Sequence, residues 1–169
     1  MHHSIYIHSL LISVIFIMGS YSQAVFAKAS DDVTIVQAYV RAVPPNQPNS
    51  ASFMQLINRS GIAHAIVSAK SDVAQIVELH THLNEGGMMK MRRIEKINIP
   101  ANGQTVLQPG GLHIMLIKLV QGLIVGQQVK VVLTFEDGSS KELVAPVQKV
   151  MMKHMKMMKH KMGHSTMKH

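Results

Sequence analysis

Between residues 33 and 147 the chain alternates short apolar runs with clusters of turn-forming residues, and this alternation constrains the fold most strongly. The runs are rich in Val, Ile, Leu and Thr, and several alternate with a period of two. Clusters such as Pro44-Pro45-Asn46 and Pro109-Gly110-Gly111 separate them. No segment there sustains the helical period of about 3.6 residues. The predicted strands are 33–40, 52–58, 64–69, 74–82, 88–93, 104–107, 113–120, 128–135 and 141–147.

This pattern predicts an all-β fold, because eight or nine short strands in about 115 residues are typical of a β-sandwich or a Greek-key barrel. The chain has 169 residues, 47% of them hydrophobic, which is enough for one domain with a packed core. Charge and composition divide the chain into three parts. These are a leader at 1–27, a body at 28–148 and a tail at 149–169.

The leader is predicted to be a secretory signal. Residues 1–27 contain no Lys, Arg, Asp or Glu, and residues 10–18 form a short apolar run. Val25 and Ala27 satisfy the small-residue rule for cleavage after Ala27. The run is short for a membrane span, so removal is favoured over the alternative of an uncleaved anchor. No cysteine follows the run, so a lipid anchor is not expected.

The charge and the missing residue types exclude several classes of function. The net charge is +8, but the body has 11 basic and 9 acidic residues, whereas the tail has six lysines and no acids. The body therefore presents no basic groove, and with 4% aromatic residues and no Trp a nucleic-acid partner is not expected. The absence of cysteine excludes disulfides, thiolate zinc sites, iron–sulfur clusters and blue-copper sites.

Methionine and histidine are in excess, with 14 and 11 residues respectively. Thioethers select Cu(I), and neutral imidazole binds both Cu(I) and Cu(II). Unlike thiolates, thioethers are not consumed by disulfide formation in an oxidising compartment. A protein that handles copper outside the cytoplasm therefore has a chemical reason to use methionine and histidine in place of cysteine.

Two clusters in the body carry these donors. His80 lies near the end of one predicted strand, and Met91 lies in the strand that follows a Gly-Gly turn, so a hairpin can bring the two together. His113 and Met115 lie two residues apart and therefore share one face of a strand. These four residues form the predicted copper site. His82 is interpreted as an exposed neighbour or weak auxiliary ligand, because it shares the strand face of His80.

His64 and Met54 have no partner at a suitable spacing, so they are interpreted as structural residues. Met88 and Met89 are interpreted as packing or rim residues that shield the copper site. Within the body, the prediction of metal binding therefore depends on the quartet described above.

The spacing of the quartet resembles a known family signature. His80, ten intervening residues, Met91, twenty-one intervening residues and His113-Ile114-Met115 match the H-x10-M-x21-H-x-M pattern of the PCuAC family of periplasmic copper(I) chaperones. Residues 77–80, 87–92, 99–101 and 107–116 are also similar to that family. The resemblance extends over roughly 32–147.

The resemblance implies a cupredoxin-like Greek-key β-barrel that binds one Cu(I) through His80, Met91, His113 and Met115. It also implies a periplasmic chaperone rather than an enzyme. Its partner would be a copper-accepting or copper-donating periplasmic protein, such as cytochrome c oxidase subunit II or the assembly factors of that copper centre. The mature protein is expected to be a monomer outside the membrane, with a copper-bridged dimer as the alternative.

The tail is low-complexity sequence, expected to be disordered without a ligand. Its plain interpretation is a solvated basic extension, but interleaved methionine and histidine favour a metal-binding arm for Cu(I) and also for Cu(II). The alternative function is therefore a periplasmic copper buffer or resistance protein. The auxiliary ligands would be Met151, Met152, His154, Met155, Met157, Met158, His160, Met162, His164, Met167 and His169.

Overall fold

The computed structural model describes residues 27–149, and these residues form an almost entirely β-structure. One short helix precedes ten strands. The elements are α1 (Ala29–Asp32), β1 (Val33–Arg41), β2 (Asn49–Asn58), β3 (His64–Lys70), β4 (Ala74–Glu85), β5 (Met88–Arg93), β6 (Ile97–Ile99), β7 (Gly103–Leu107), β8 (His113–Leu119), β9 (Gln128–Phe135) and β10 (Ser140–Gln148).

Each of the nine predicted strands coincides with an observed strand, and the all-β prediction is confirmed. Two elements were not predicted. The strand β6 has only three residues, too few to show alternation, and it forms because Ile97 and Ile99 pair with β3 and are buried. The helix α1 is a single turn held by long-range contacts, with the Ala29 N–H donating to the Asp137 carboxylate at 2.8 Å.

The strands follow the order β5-β4-β8-β2-β1-β10-β9-β3-β6, and β7 pairs separately with β2. The first five strands and β7 form one part of the sheet, whereas β10, β9, β3 and β6 form the other. The two parts are joined by a short parallel pairing in which Val40 lies opposite Val147 and Arg41 opposite Gln148.

The hydrophobic core lies between these two parts of the sheet, and β9 shows how it is built. Its alternate residues Val129, Val131, Leu133 and Phe135 are buried, while the residues between them face outward. Burial of each such side chain contributes about 1.5–3 kcal/mol to the free energy of unfolding. In contrast, every residue of the edge strand β5 is exposed or half-buried. Its side chains can therefore contact a ligand or a partner from solvent.

Candidate metal centre

Strand register brings the predicted donors onto one face of the β5-β4-β8 segment. His80 pairs with His113 across β4 and β8, and His82 pairs with Met91 across β4 and β5. Residues directly opposite each other in an antiparallel pair project from the same face. Met115, two residues after His113, also projects from this face. All four predicted ligands therefore lie on the same side of three adjacent strands.

A cavity of about 190 Å³ opens on this face. Three of the four predicted ligands line it, and His80 lies next to it, with its ring centroid 5.7 Å from that of His113. The volume accommodates a metal ion together with an incoming ligand atom. The lining residues are Arg41, Ala51, Phe53, His82, Met91, Pro109, Gly110, His113 and Met115.

His113 is the most deeply buried donor, with 2% of its surface exposed. Its Nδ1–H donates to the Gly111 carbonyl oxygen at 3.0 Å, which leaves Nε2 as an unprotonated nitrogen. This Nε2 is buried and has no hydrogen-bond partner among the described residues. Burial lowers the pKa of His113, and together with the nearby charges of His82, His80 and Arg41 it outweighs the hydrogen bond to Gly111, which raises that pKa. The ring is therefore neutral at pH 7, as a metal ligand must be.

His80 is oriented by a carboxylate. Its Nε2–H donates to Glu78 Oε2 at 2.7 Å, and the other carboxylate oxygen of Glu78 lies 3.5 Å from the Arg93 guanidinium. The Nδ1 of His80 is buried without a hydrogen-bond partner among the described residues. A carboxylate on one ring nitrogen and a metal on the other is a recurrent arrangement of metal-ligating histidines.

Met91 and His82 form the rim of the cavity. Met91 is 41% exposed, and His82 is half-buried with its ring centroid 5.2 Å from that of His113. His82, which the sequence indicates is an exposed neighbour or weak auxiliary ligand, is half-buried in the cavity wall and lies directly opposite Met91. The two-residue Gly86-Gly87 turn fixes this pairing, because a turn of that length sets the register of the whole hairpin.

The tight loop of residues 108–112, between β7 and β8, forms the third side of the site. Gly110 has φ +81°, a conformation that favours glycine, and the Gln108 N–H donates to the Leu112 carbonyl at 2.8 Å. This geometry directs the Gly111 carbonyl toward His113 Nδ1. The loop thus selects the tautomer of the buried ligand.

The chemistry of the lining is suited to a soft cation. Within residues 27–149, no three His, Asp or Glu side chains come together as a metal-binding group. Met91 and Met115 bring thioether sulfurs to the same face as the histidines. Thioether donors favour Cu(I) over Zn²⁺, Mg²⁺ or Ca²⁺.

The predicted tail ligands, from Met151 to His169, lie outside the described residues, as does nearly all of the predicted signal segment. The last described strand, β10, ends at Gln148, directly before the tail in the sequence. Gln148 pairs with Arg41, which lines the cavity, and accepts a hydrogen bond from the Ala42 N–H at 2.8 Å. Within residues 27–149, no helix has the length and apolar character of a membrane span.

Residues 33–147 match the model of a family described as "Putative lipoprotein LpqE-like". The Leifsonia xyli subsp. xyli protein Lxx21020 is 33% identical over 122 residues, which cover 72% of each chain. The Rickettsia prowazekii protein RP573 is 28% identical over 128 residues, covering 69% of this chain and 71% of that one. A lipoprotein family description is consistent with an exported protein.

Solved structures agree with this assignment. The solution structure of CuI-DR1885 from Deinococcus radiodurans is 36% identical, with a TM-score of 0.57, and the match covers 68% of this chain and 76% of that one. The copper-bound PCuAC domain from PmoF2 has a TM-score of 0.61, covering 72% of this chain and 97% of that one; at 20% identity it supports the fold alone. This chain therefore belongs to the LpqE-like family, whose domain is of the PCuAC type with a cupredoxin-like β-fold.

Proposed function

We propose that this protein is a periplasmic copper chaperone. It binds one Cu(I) through His80 Nδ1, His113 Nε2 and the thioether sulfurs of Met91 and Met115. It then delivers the ion to a copper acceptor, such as the copper centre of cytochrome c oxidase.

The two unpaired imidazole nitrogens are the observation that carries this proposal. Leaving a buried polar atom without a partner costs about 1–3 kcal/mol. His80 Nδ1 and His113 Nε2 are both buried and unpaired among the described residues, and their rings are neighbours. A metal ion between them would remove this cost for both atoms. The CuI-bound form of the related DR1885 supports copper as that metal.

The donor set favours binding that is specific but reversible. Two neutral thioethers and two neutral imidazoles leave the charge of the bound ion at +1, so no anionic ligand holds it in place. Met91 is 41% exposed, whereas His113 is 2% exposed. An acceptor ligand would therefore approach from the Met91 side and displace the copper by ligand exchange, without any change in oxidation state.

A competition titration against a chromophoric Cu(I) chelator tests the proposal. The chain ending at Lys149 retains the whole described core and removes the tail donors. We expect it to bind one Cu(I), and the His113→Ala/Met115→Ala variant to bind about 1,000-fold more weakly, equivalent to about 4 kcal/mol. X-ray absorption should count two sulfur and two nitrogen neighbours. Unchanged affinity in the double variant would contradict the assigned site.

A second candidate is a copper buffer in which the tail is the main store. One observation favours it: Gln148, the last residue before the tail, pairs with Arg41, and Arg41 lines the cavity. The same titration distinguishes the two functions. A buffer would bind several copper ions in the full chain and lose most of them on truncation after Lys149, whereas a chaperone would keep its high-affinity ion.

A further inference from the structure

We infer that His82 is a transfer ligand, which together with Met91 forms an outer copper position at the cavity rim. Cu(I) passes through this position on its way to and from the buried pair His80 and His113. The inference rests on the proposed function and adds to it a route by which the ion moves.

The position of His82 is the first argument. It lies directly opposite Met91 in the hairpin and lines the same cavity as Met91 and His113. Its ring centroid is 5.2 Å from that of His113, closer than the 5.7 Å between His80 and His113. An ion held between His82 and Met91 is therefore adjacent to the inner donors.

The hydrogen bonding of His82 is the second argument. His80 and His113 are fixed by hydrogen bonds of 2.7 and 3.0 Å, to Glu78 and Gly111 respectively. In contrast, His82 Nδ1 lies 3.5 Å from the Gly111 carbonyl oxygen, a distance at the limit of a hydrogen bond. Because this hydrogen bond is weak and the ring is only half-buried, the His82 side chain can turn toward an ion at the rim.

The burial of the inner donors is the third argument, because an acceptor cannot reach them directly. The side chains of His80 and His113 are almost covered, whereas Met91 is exposed. In the outward transfer, a Cu–N bond to His82 Nε2 forms while the Cu–N bonds to His80 and His113 and the Cu–S bond to Met115 break in turn; inward transfer is the reverse. The Cu–S bond to Met91 remains, the proton of His82 stays on Nδ1, and copper remains Cu(I).

Release kinetics of the full chain test the inference. Wild type and His82→Gln, each loaded with one equivalent of Cu(I), are mixed with a chromophoric chelator in a stopped-flow instrument. Because both chains carry the same tail, its donors contribute equally. We expect release and capture to slow about tenfold, equivalent to about 1.4 kcal/mol of barrier. The equilibrium affinity should change by less than about threefold.

Leu83→Gln is the matched control, since Leu83 is 48% exposed, adjacent in the strand and on the opposite face. It should keep wild-type rates, and circular dichroism should show all variants folded. Unchanged rates in His82→Gln would overturn the inference, as would a loss of affinity as large as that of His80→Gln. If His80→Gln and His113→Gln leave the affinity unchanged, the proposed function fails instead.

Discussion

His64 and His113 are both buried histidines, but their ring nitrogens are paired differently. His64 has both nitrogens occupied, with Nε2 3.0 Å from Asp32 and Nδ1 2.9 Å from Glu136. His113 has one nitrogen paired with Gly111, and the other is buried without a partner among the described residues. The first arrangement links α1, β3 and the residue that follows β9, whereas the second leaves a lone pair on His113 Nε2 available to a metal ion.

The pKa values follow the same division. Burial opposes protonation of His64, but the hydrogen bonds and charges of Glu136 and Asp32 outweigh it and raise its pKa. Burial lowers the pKa of His113, and no carboxylate compensates. His64 thus favours the charged form that stabilises an ion cluster, and His113 favours the neutral form that binds a metal. Pairing at both nitrogens, rather than burial, separates the structural histidine from the candidate ligand.

The largest expected effect is on copper affinity. We expect His113→Gln to weaken Cu(I) binding about 100-fold or more, equivalent to about 2.7 kcal/mol, because it removes a buried donor. His64→Gln, the matched change at the structural histidine, should leave the affinity unchanged. Competition titration on chains ending at Lys149 measures both. Equal losses in the two variants would remove the distinction between the histidines.

The next effect is on stability. His64→Gln should lower the free energy of unfolding by about 2 kcal/mol at pH 6, because two carboxylates lose their cationic partner. This figure is below that for a fully buried pair because the Glu136 side chain is 37% exposed and solvent screens its charge. Urea unfolding monitored by circular dichroism measures the change, and His82→Gln serves as the control at a rim histidine.

The stability contributed by His64 should depend on pH in a defined direction. Its folded pKa is raised above 6.5, so the stabilisation is complete below pH 6.5 and is lost as pH rises through the folded pKa. Glu136 has a pKa lowered from 4.5, since hydrogen bonds from Ala65 and His64 outweigh the effect of burial. Its contribution is present above pH 4.5 and is lost as pH falls through the folded pKa. A wild-type pH profile equal to that of His64→Gln would contradict this assignment.

Sequence reasoning predicted the strands well because their signal is local. Alternating apolar residues and turn clusters identified nine strands, including β8, which carries His113 and Met115. It did not predict α1 or β6, because both depend on partners distant in sequence. The same limit applies to His64, which was interpreted as structural without its partners. Asp32 and Glu136 lie 32 and 72 residues away, and no spacing rule reveals them.

Spacing also identified the four candidate ligands but not their surroundings. The sequence predicts that the hairpin brings His80 and Met91 together, and the register places Met91 directly opposite His82, so that His80 and Met91 are diagonal neighbours on one face. The hydrogen bond between Glu78 and His80 joins residues two apart on one strand face, so the alternation contained this signal. The roles of Arg41 and Gly111 could not be predicted, because they reach the cavity from separate strands and loops.

The smallest expected effect is a loss of copper affinity when the carboxylate that contacts His80 loses its charge. At His64 two carboxylates stabilise charge, whereas at His80 the single carboxylate of Glu78 orients the ring through one hydrogen bond. Glu78→Gln keeps a hydrogen-bond acceptor for His80 Nε2–H but loses the negative charge that makes Nδ1 a better donor. We expect Cu(I) affinity to fall about tenfold, at the lower end for such supporting residues. Nitrogen chemical shifts of the His80 ring should still report a protonated Nε2.

Glu85→Gln is the matched control, because Glu85 pairs with Arg92 and Lys90 on the opposite face of the same hairpin. The exposed pairs of Glu85 contribute little to stability, so this variant should match wild type in both affinity and unfolding. Should Glu78→Gln instead bind copper as tightly as Glu85→Gln, the charge of Glu78 would have no part in ligand strength. Its hydrogen bond would then serve only to fix the orientation of the His80 ring, in contrast to the carboxylates at His64, which stabilise charge.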